Sequence, residues 1–265
     1  YIEEAKYDLA LEYYQKSYDL RLTIYGKDHL LVINSWAAIA NVYVALGDYG
    51  RALQHLTEAI EARTRLTKGE PQMMIASYYS RVGRIHIAMA RYKEAQECFA
   101  KSFEIMENFS ERERDLPEYY SNMGDLSLAV GKVKEAKEYY LKSLELSTKI
   151  HAQDNKSMIS PLTSLAKACI VQKKFEEASE FVSRALKINK NMFHEDHPNI
   201  ADCFILLGNI EMGKGNFGDG NNYFQEASRI YQKFLPIIHP KVAESYFCLG
   251  KSNLRGKDLG DRKST

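Results

Sequence analysis

No stretch of this chain stays apolar for the roughly 20 residues a membrane-spanning helix needs, and no N-terminal leader is recognisable. Cysteine is scarce and scattered. Cys98, Cys169, Cys203 and Cys248 form no C-x2-C pair, so zinc binding by recognised spacing is excluded. Disulfides are not expected either, which suits a reducing, cytoplasmic setting. Charge of one sign is lacking too: 36 Lys and Arg against 35 Asp and Glu leave a net +1, with the signs interspersed. That argues against a basic nucleic-acid stripe and against a polybasic membrane anchor. No G-x4-G-K-[ST], G-x-S-x-G or H-E-x2-H motif occurs. No catalytic residue, cofactor or metal is therefore assigned, and an enzyme is not expected.

What the chain does have is a ladder of small residues. Ala10, Ala52, Ala95, Ala136, Ala178 and Gly220 are 42, 43, 41, 42 and 42 residues apart. A fixed period over a whole chain marks stacked copies of one supersecondary unit. Sixteen residues before each rung, beginning with Ala52, stand Trp36, Tyr79, Tyr120, Leu162, Phe204 and, by extrapolation, Tyr246. Three later come Ile39, Val82, Met123, Leu165, Leu207 and Leu249, and the next position is always small: Ala40, Gly83, Gly124, Ala166, Gly208, Gly250. Four after the ladder lie Tyr14, Leu56, Phe99, Tyr140, Val182 and Phe224. Bulky residues at helical spacing mark a buried face, and a column restricted to Gly and Ala marks close approach of two backbones. Each copy thus reads as two antiparallel helices. The turn between them falls at Gly47-Asp48, Ala90-Arg91, Gly131-Lys132, Lys173-Lys174 and Gly215-Asn216, where a left-handed helix end favours Gly. Tyr7, Tyr49, Tyr92, Val133, Phe175 and Phe217 open the second helices.

These columns resemble the tetratricopeptide repeat, W-x2-L-G-x2-Y followed by A-x3-F. The first complete copy reads Trp36, Ile39, Ala40 and Tyr43, then Ala52, Leu56 and Ala59. Three exit loops share His29, His197 and His239, two of them continuing as His-Pro with an Ile-Ala or Val-Ala step. Pro suits a first helical turn, and Asp or His before it can cap. The long period with this His-Pro feature resembles the kinesin light chain type of repeat. The resemblance implies an all-α, right-handed α-solenoid (superhelix) of antiparallel helix pairs, and a single array over 1–265. The expected divisions are 1–29 (second helix of a truncated repeat), 30–70, 71–113, 114–155, 156–197, 198–239 and 240–265 (a truncated repeat whose second helix opens at Gly256). Both ends look cut from a longer protein. The irregular loops are read at Thr67–Pro71, Ser110–Pro117 and Ala152–Ser157.

Several features imitate chemistry. Gly213-x-Gly215-x2-Gly218-x-Gly220 mimics a nucleotide loop but lies between two helices, not after a strand, and reads as loosening a turn. Gly220 in place of Ala predicts a locally weaker copy. His194 and His197 flank two acids, yet His197-Pro198 matches the loop at His239-Pro240. His86 reads as a packed histidine with one hydrogen-bond partner. The cysteines read as buried small hydrophobes.

In tetratricopeptide solenoids the first helix of each pair lines the concave face and, by resemblance, takes a partner's peptide. The slot eleven before the ladder runs Asn41, Arg84, Asp125, Lys167, Asn209, Lys251. The slot three earlier runs Ala38, Arg81, Asn122, Ser164, Leu206, Cys248, and is also expected to be exposed. Asn offers donor and acceptor together, and Arg can clamp a carboxylate. The expected peptide-binding residues are Asn41, Arg81, Arg84, Asn122, Asp125, Lys167, Asn209 and Lys251. Arg81, Arg84 and Lys167 suggest an acidic segment of the partner near the middle, and Ile205, Leu206, Met212 and Phe247 an apolar one towards the C-terminus. Only Asn122 matches the paired groove Asn of kinesin light chains, so cargo recognition of that kind is not carried over. An adaptor is the first reading. The alternatives are a regulatory array of a larger catalytic or signalling protein and an assembly subunit that self-associates through its convex face or ends.

Overall fold

The computed structural model describes residues 7–110, 112–150, 155–193, 196–237 and 239–263, with side chains as far as Arg255. Among the described residues all regular structure is helical. The chain divides into two compact units, 1–139 and 140–265. In the first, α1 (Tyr7–Tyr25), α2 (Leu30–Ala45), α3 (Tyr49–Leu66), α4 (Met73–Ala88), α5 (Tyr92–Met106) and α6 (Leu116–Ala129) each pack on the next, and α4 also touches α6. A short 3-10 turn, Arg112–Arg114, precedes α6, and α7 (Val133–Ile150) begins in this unit and ends in the second. The second unit holds α8 (Ile159–Val171), α9 (Phe175–Met192), α10 (Pro198–Lys214), α11 (Phe217–Phe234) and α12 (Pro240–Lys263). Here too each helix packs on the next, while α10 touches α8 and α12.

The ladder is where the two helices of a pair cross. Ala10, Ala52, Ala95, Ala136, Ala178 and Gly220 are all buried. The small position that precedes it is matched in volume to the residue four after the ladder. Gly83 faces Phe99 and Gly208 faces Phe224, and a Cβ on either glycine would fall inside contact with the ring. Where the small residue is Ala, its counterpart is aliphatic: Ala40 with Leu56, Ala166 with Val182, all four buried. Close packing of this kind leaves no room for both a methyl and a ring. Gly220 fits the same logic, because a Cβ there would approach the Gly208 carbonyl oxygen at 3.2 Å. Gly213, read from the sequence as loosening a turn, instead gives its space to the Phe175 ring.

Every described turn within a pair closes the same way. Asp48, Arg91, Lys132, Lys174 and Asn216 donate their backbone N–H to the carbonyls of Tyr43, His86, Ser127, Cys169 and Glu211, at 2.8–2.9 Å. This six-to-one bond needs a left-handed residue just before the donor. Gly47, Gly131 and Gly215 supply it freely at φ 77°, 83° and 92°, but Ala90 and Lys173 are forced to φ 57° and 59°. Three of the loops between pairs are stopped by histidine. His29, His197 and His239 accept through Nδ1 from the backbone N–H of Leu31, Asn199 and Lys241 at 3.2, 3.1 and 3.0 Å. The first two rings also stack on Tyr25, the last residue of α1, and Phe193, just past the end of α9.

One expected boundary is absent. The sequence reading opened a second helix at Gly256, but α12 runs unbroken from Pro240 to Lys263. Arg262 stands where the other copies place the small ladder residue, so a second helix opened here could not cross its partner as closely as the others do. Residues 1–6 of the first expected division, Glu111 and residues 151–154 in two of the expected loops, and His194 and Glu195 of the imitated metal site, lie outside the described residues.

Two outcomes are expected. Gly208→Ala should destabilise the chain by about 1–3 kcal/mol through overpacking, and Phe224→Leu in the same chain should recover a large part of it; denaturant unfolding of the four species measures the coupling, and purely additive losses would contradict the volume match. Ala90→Gly and Lys173→Gly should each raise stability by up to about 1 kcal/mol by relieving a left-handed side-chain residue, less the extra chain entropy of glycine.

Candidate functional site

Each unit has a candidate face formed by its own first helices, α2, α4 and α6 in one and α8, α10 and α12 in the other. At the register eleven before the ladder, Asn41, Arg84, Lys167 and Lys251 are exposed, and Asp125 and Asn209 are half-buried. The register three earlier is not the exposed row the sequence suggested. Asn122, Ser164, Leu206 and Cys248 are buried there, and only Ala38 and Arg81 keep partial exposure. The physical reason is the neighbouring first helix: three residues turn a side chain by about 300°, towards the adjacent repeat rather than outwards. The apolar end is narrower than expected as well. Ile205, Leu206 and Met212 are buried in their own unit, while Phe247 and Leu254 on α12 are each 72% exposed.

The charges on this face are partly answered by the next repeat. Arg84 Nη1 lies 3.4 Å from Glu118 on α6, both being about half exposed. In the second unit Asp202 on α10 accepts from Lys241 Nζ at 2.7 Å and from the Tyr231 hydroxyl. Burial pushes the Asp202 carboxyl up, but Lys241, the Tyr231 hydroxyl and the field of Lys167 together hold it below the usual carboxylate value. The corresponding position of the first unit is Asn34, whose Oδ1 accepts from Arg63 Nη1 at 3.2 Å and from the Tyr78 hydroxyl at 3.3 Å. Asn34, Arg63 and Tyr78 were not singled out from the sequence, although Arg63 and Tyr231 stand at one register of the period and Asn34 and Asp202 at another.

The residues weighed for other chemistry find structural employment. His197 caps α10. Cys169 and Cys203 are fully buried, and burial pushes the Cys203 thiol up to about 12, far from a nucleophile's range. Among the described residues no group of three or more His, Cys, Asp or Glu side chains is placed to hold a metal. No described helix is long and apolar enough to cross a membrane. His86 Nδ1 is buried with no hydrogen-bond partner, as is Nδ1 of His55, whose ring stacks on Tyr43 at 5.6 Å.

A tetratricopeptide repeat family model matches residues 1–65, 74–149 and 115–191, more than half of the sequence. The chain belongs to the tetratricopeptide repeat family. Past residue 191 the same columns continue through α10, α11 and α12. A Rap protein complexed with competence and sporulation factor shares the fold at a TM-score of 0.71, with 12% identity over 97% of this chain and 73% of that one. The "kinesin light chain nearly identical TPR-like repeats" of Podosopora anserina share it at 0.50, with 18% identity over 77% and 97% of the two chains. Among curated proteins, the clustered mitochondria protein homolog of Candida albicans is 29% identical over 96 residues, 36% of this chain but 7% of that relative. The chain therefore spans only a small part of that relative's length.

Burial lowers the pKa of both His55 and His86 below the ordinary histidine value of 6.5. A folded-state pKa below the unfolded one means that the unfolded chain takes up protons first as the pH falls. The stability tied to these two imidazoles is thus complete above about pH 6.5 and declines below it, down to their folded pKa values. Thermal melts across that window should show a weaker pH dependence in His55→Gln, His86→Gln than in the parent, and equal slopes would remove these histidines from the account.

Proposed function

We propose that the chain is a protein-interaction scaffold that holds a peptide segment of a partner against its first-helix face, as an adaptor in the cytoplasm. The array is read as repeats 30–70, 71–113, 114–155, 156–197 and 198–239, with part-repeats at 1–29 and 240–265. The observation that carries the reading is the row Asn41, Arg84, Lys167 and Lys251. These polar residues stand at one register of the first helices and are exposed, with Asp125 and Asn209 half-buried at the same register, whereas the column that follows is buried. Family membership supports a protein partner, since stacked repeats present extended surfaces used for binding. Arg81, Arg84, Asn122, Asp125 and Asn209 complete the proposed contact set. Arg84 and Lys167 favour an acidic segment, and the exposed Phe247 and Leu254 favour an apolar residue towards α12.

A second reading is favoured by one finding. The matched relative is many times longer than the aligned segment, which suits a regulatory array within a larger protein. Both readings use the same face.

The test is affinity capture from lysate with mass spectrometry, using the chain beside an Arg84→Glu, Lys167→Glu version whose fold is verified by circular dichroism. Both side chains are exposed, so stability should change little. Partners lost only with the variant are the expected result. An identical partner set would place binding elsewhere on the molecule.

A further inference from the structure

Two guanidinium groups lie at Tyr78 in the first unit, and a third, Arg84, lies within the field of one of them, Arg81. Arg63 meets its hydroxyl end, since both donate to Asn34 Oδ1. Arg81 lies over its ring, 5.8 Å from the centroid. Arg84 follows one turn along α4. Among the described residues the one carboxylate in ion-pair contact with any of them is Glu118, which reaches Arg84. Asp115 lies close to Glu118 but also to Arg114, and Asp125 has a partner of its own. Counting ion-pair contacts alone, one carboxylate answers three guanidinium groups.

Hydrogen bonding tells the same story. Arg63 Nε and Asn122 Nδ2 are both buried without an acceptor. Asn122, only 3% exposed, stands on α6 at the register that Arg81 occupies on α4, and the two helices touch. The unsatisfied groups are donors, and burying donors unpaired is costly. Desolvation also pushes the Arg81 guanidinium pKa down, opposed chiefly by Glu118. A tetrahedral oxyanion answers both deficits. A carboxylate supplies one charge and two coplanar oxygens. A phosphate monoester supplies about −1.5 to −2 charges and three acceptor oxygens, enough to meet donors from α4 and α6 together.

We propose that this face of the first unit binds a phosphate monoester carried on a partner's side chain, held by Arg81, Arg84 and Asn122 with Arg63 behind them. The peptide that carries it rests on the scaffold reading above; the anion site itself does not.

The probes are inorganic phosphate and N-acetyl-O-phosphoserine amide, titrated into the whole chain at ionic strength fixed with chloride and followed by NMR. Saturable shifts of the Arg81 Nε–H and Asn122 side-chain amide signals are expected, with the ester bound more tightly than the free ion. Arg81→Gln should weaken the ester about tenfold, a loss of one charge-assisted fork. Arg81→Lys, which keeps the charge and avoids a folding defect, should also weaken it, because an ammonium lacks the bidentate geometry. Lys167→Gln in the second unit should leave it unchanged. Tighter binding of inorganic phosphate would make the free ion the ligand and overturn the peptide-borne part. No saturable shift with either probe, or full affinity in both Arg81 variants, would overturn the site. Partners lost on capture with the Arg84→Glu, Lys167→Glu version, in the absence of phosphate binding, would leave the scaffold reading standing and remove this one alone.

Discussion

The structure depends on how closely two helices can cross. At the ladder of Ala10, Ala52, Ala95, Ala136, Ala178 and Gly220 there is no volume to spare, and the neighbouring small position must trade with the residue opposite it. A ring at Phe99 or Phe224 demands Gly; Leu56 or Val182 leaves space for Ala. The constraint acts on the sum of two side chains and not on either alone. It explains why the period is carried by small residues, while the bulky columns drift among Trp, Tyr, Leu and Phe.

A fixed crossing would be of little use if each pair began at a different angle. The left-handed residue and the six-to-one bond make the intra-pair turn nearly invariant, so much so that Ala90 and Lys173 accept strained backbones rather than alter it. The inter-pair loops are longer and freer, but those ending at His29, His197 and His239 finish with the same Nδ1 cap. Geometry is therefore set twice per repeat, once by backbone conformation and once by a side-chain acceptor. Within each unit, residues at a given register of successive first helices then fall into rows.

Those parts of the fold were legible because each rests on a requirement at one position: a small residue at a crossing, a turn residue before an aromatic, a cap before a helix. The second helices begin at Tyr49, Tyr92, Val133, Phe175 and Phe217, as the sequence indicates. What sequence could not reach depends on two elements at once. The burial of Asn122, Ser164, Leu206 and Cys248 follows from the approach of a neighbouring first helix about 42 residues away in sequence. The continuation of α12 through Gly256 goes with Arg262 at the ladder position, where the small residue a crossing needs is missing, an absence that a periodic template hides. Asn34, Arg63 and Tyr78 come from three different helices, and no local pattern announces their meeting.

That meeting bears most directly on function, because a repeat architecture supplies its own control. In the second unit the residue at the Asn34 register is Asp202, and a cation, Lys241, together with the neutral Tyr231 hydroxyl, donates to it. Charge there is balanced by a cation of the next repeat. In the first unit the acceptor is a neutral amide and the donor twenty-nine residues on is an arginine, so one exchange of Asp for Asn and one of Tyr for Arg shift the local balance towards positive. The Asp202 cluster neutralises its own charge, whereas Arg63 at the Asn34 cluster keeps its charge and a buried Nε donor unanswered. Unpaired buried donors lower stability wherever they occur, and a gain elsewhere is needed to offset that loss. If the first-helix face takes a partner as proposed, an anionic ligand is the gain that fits both the sign of the charge and the direction of the hydrogen bonds.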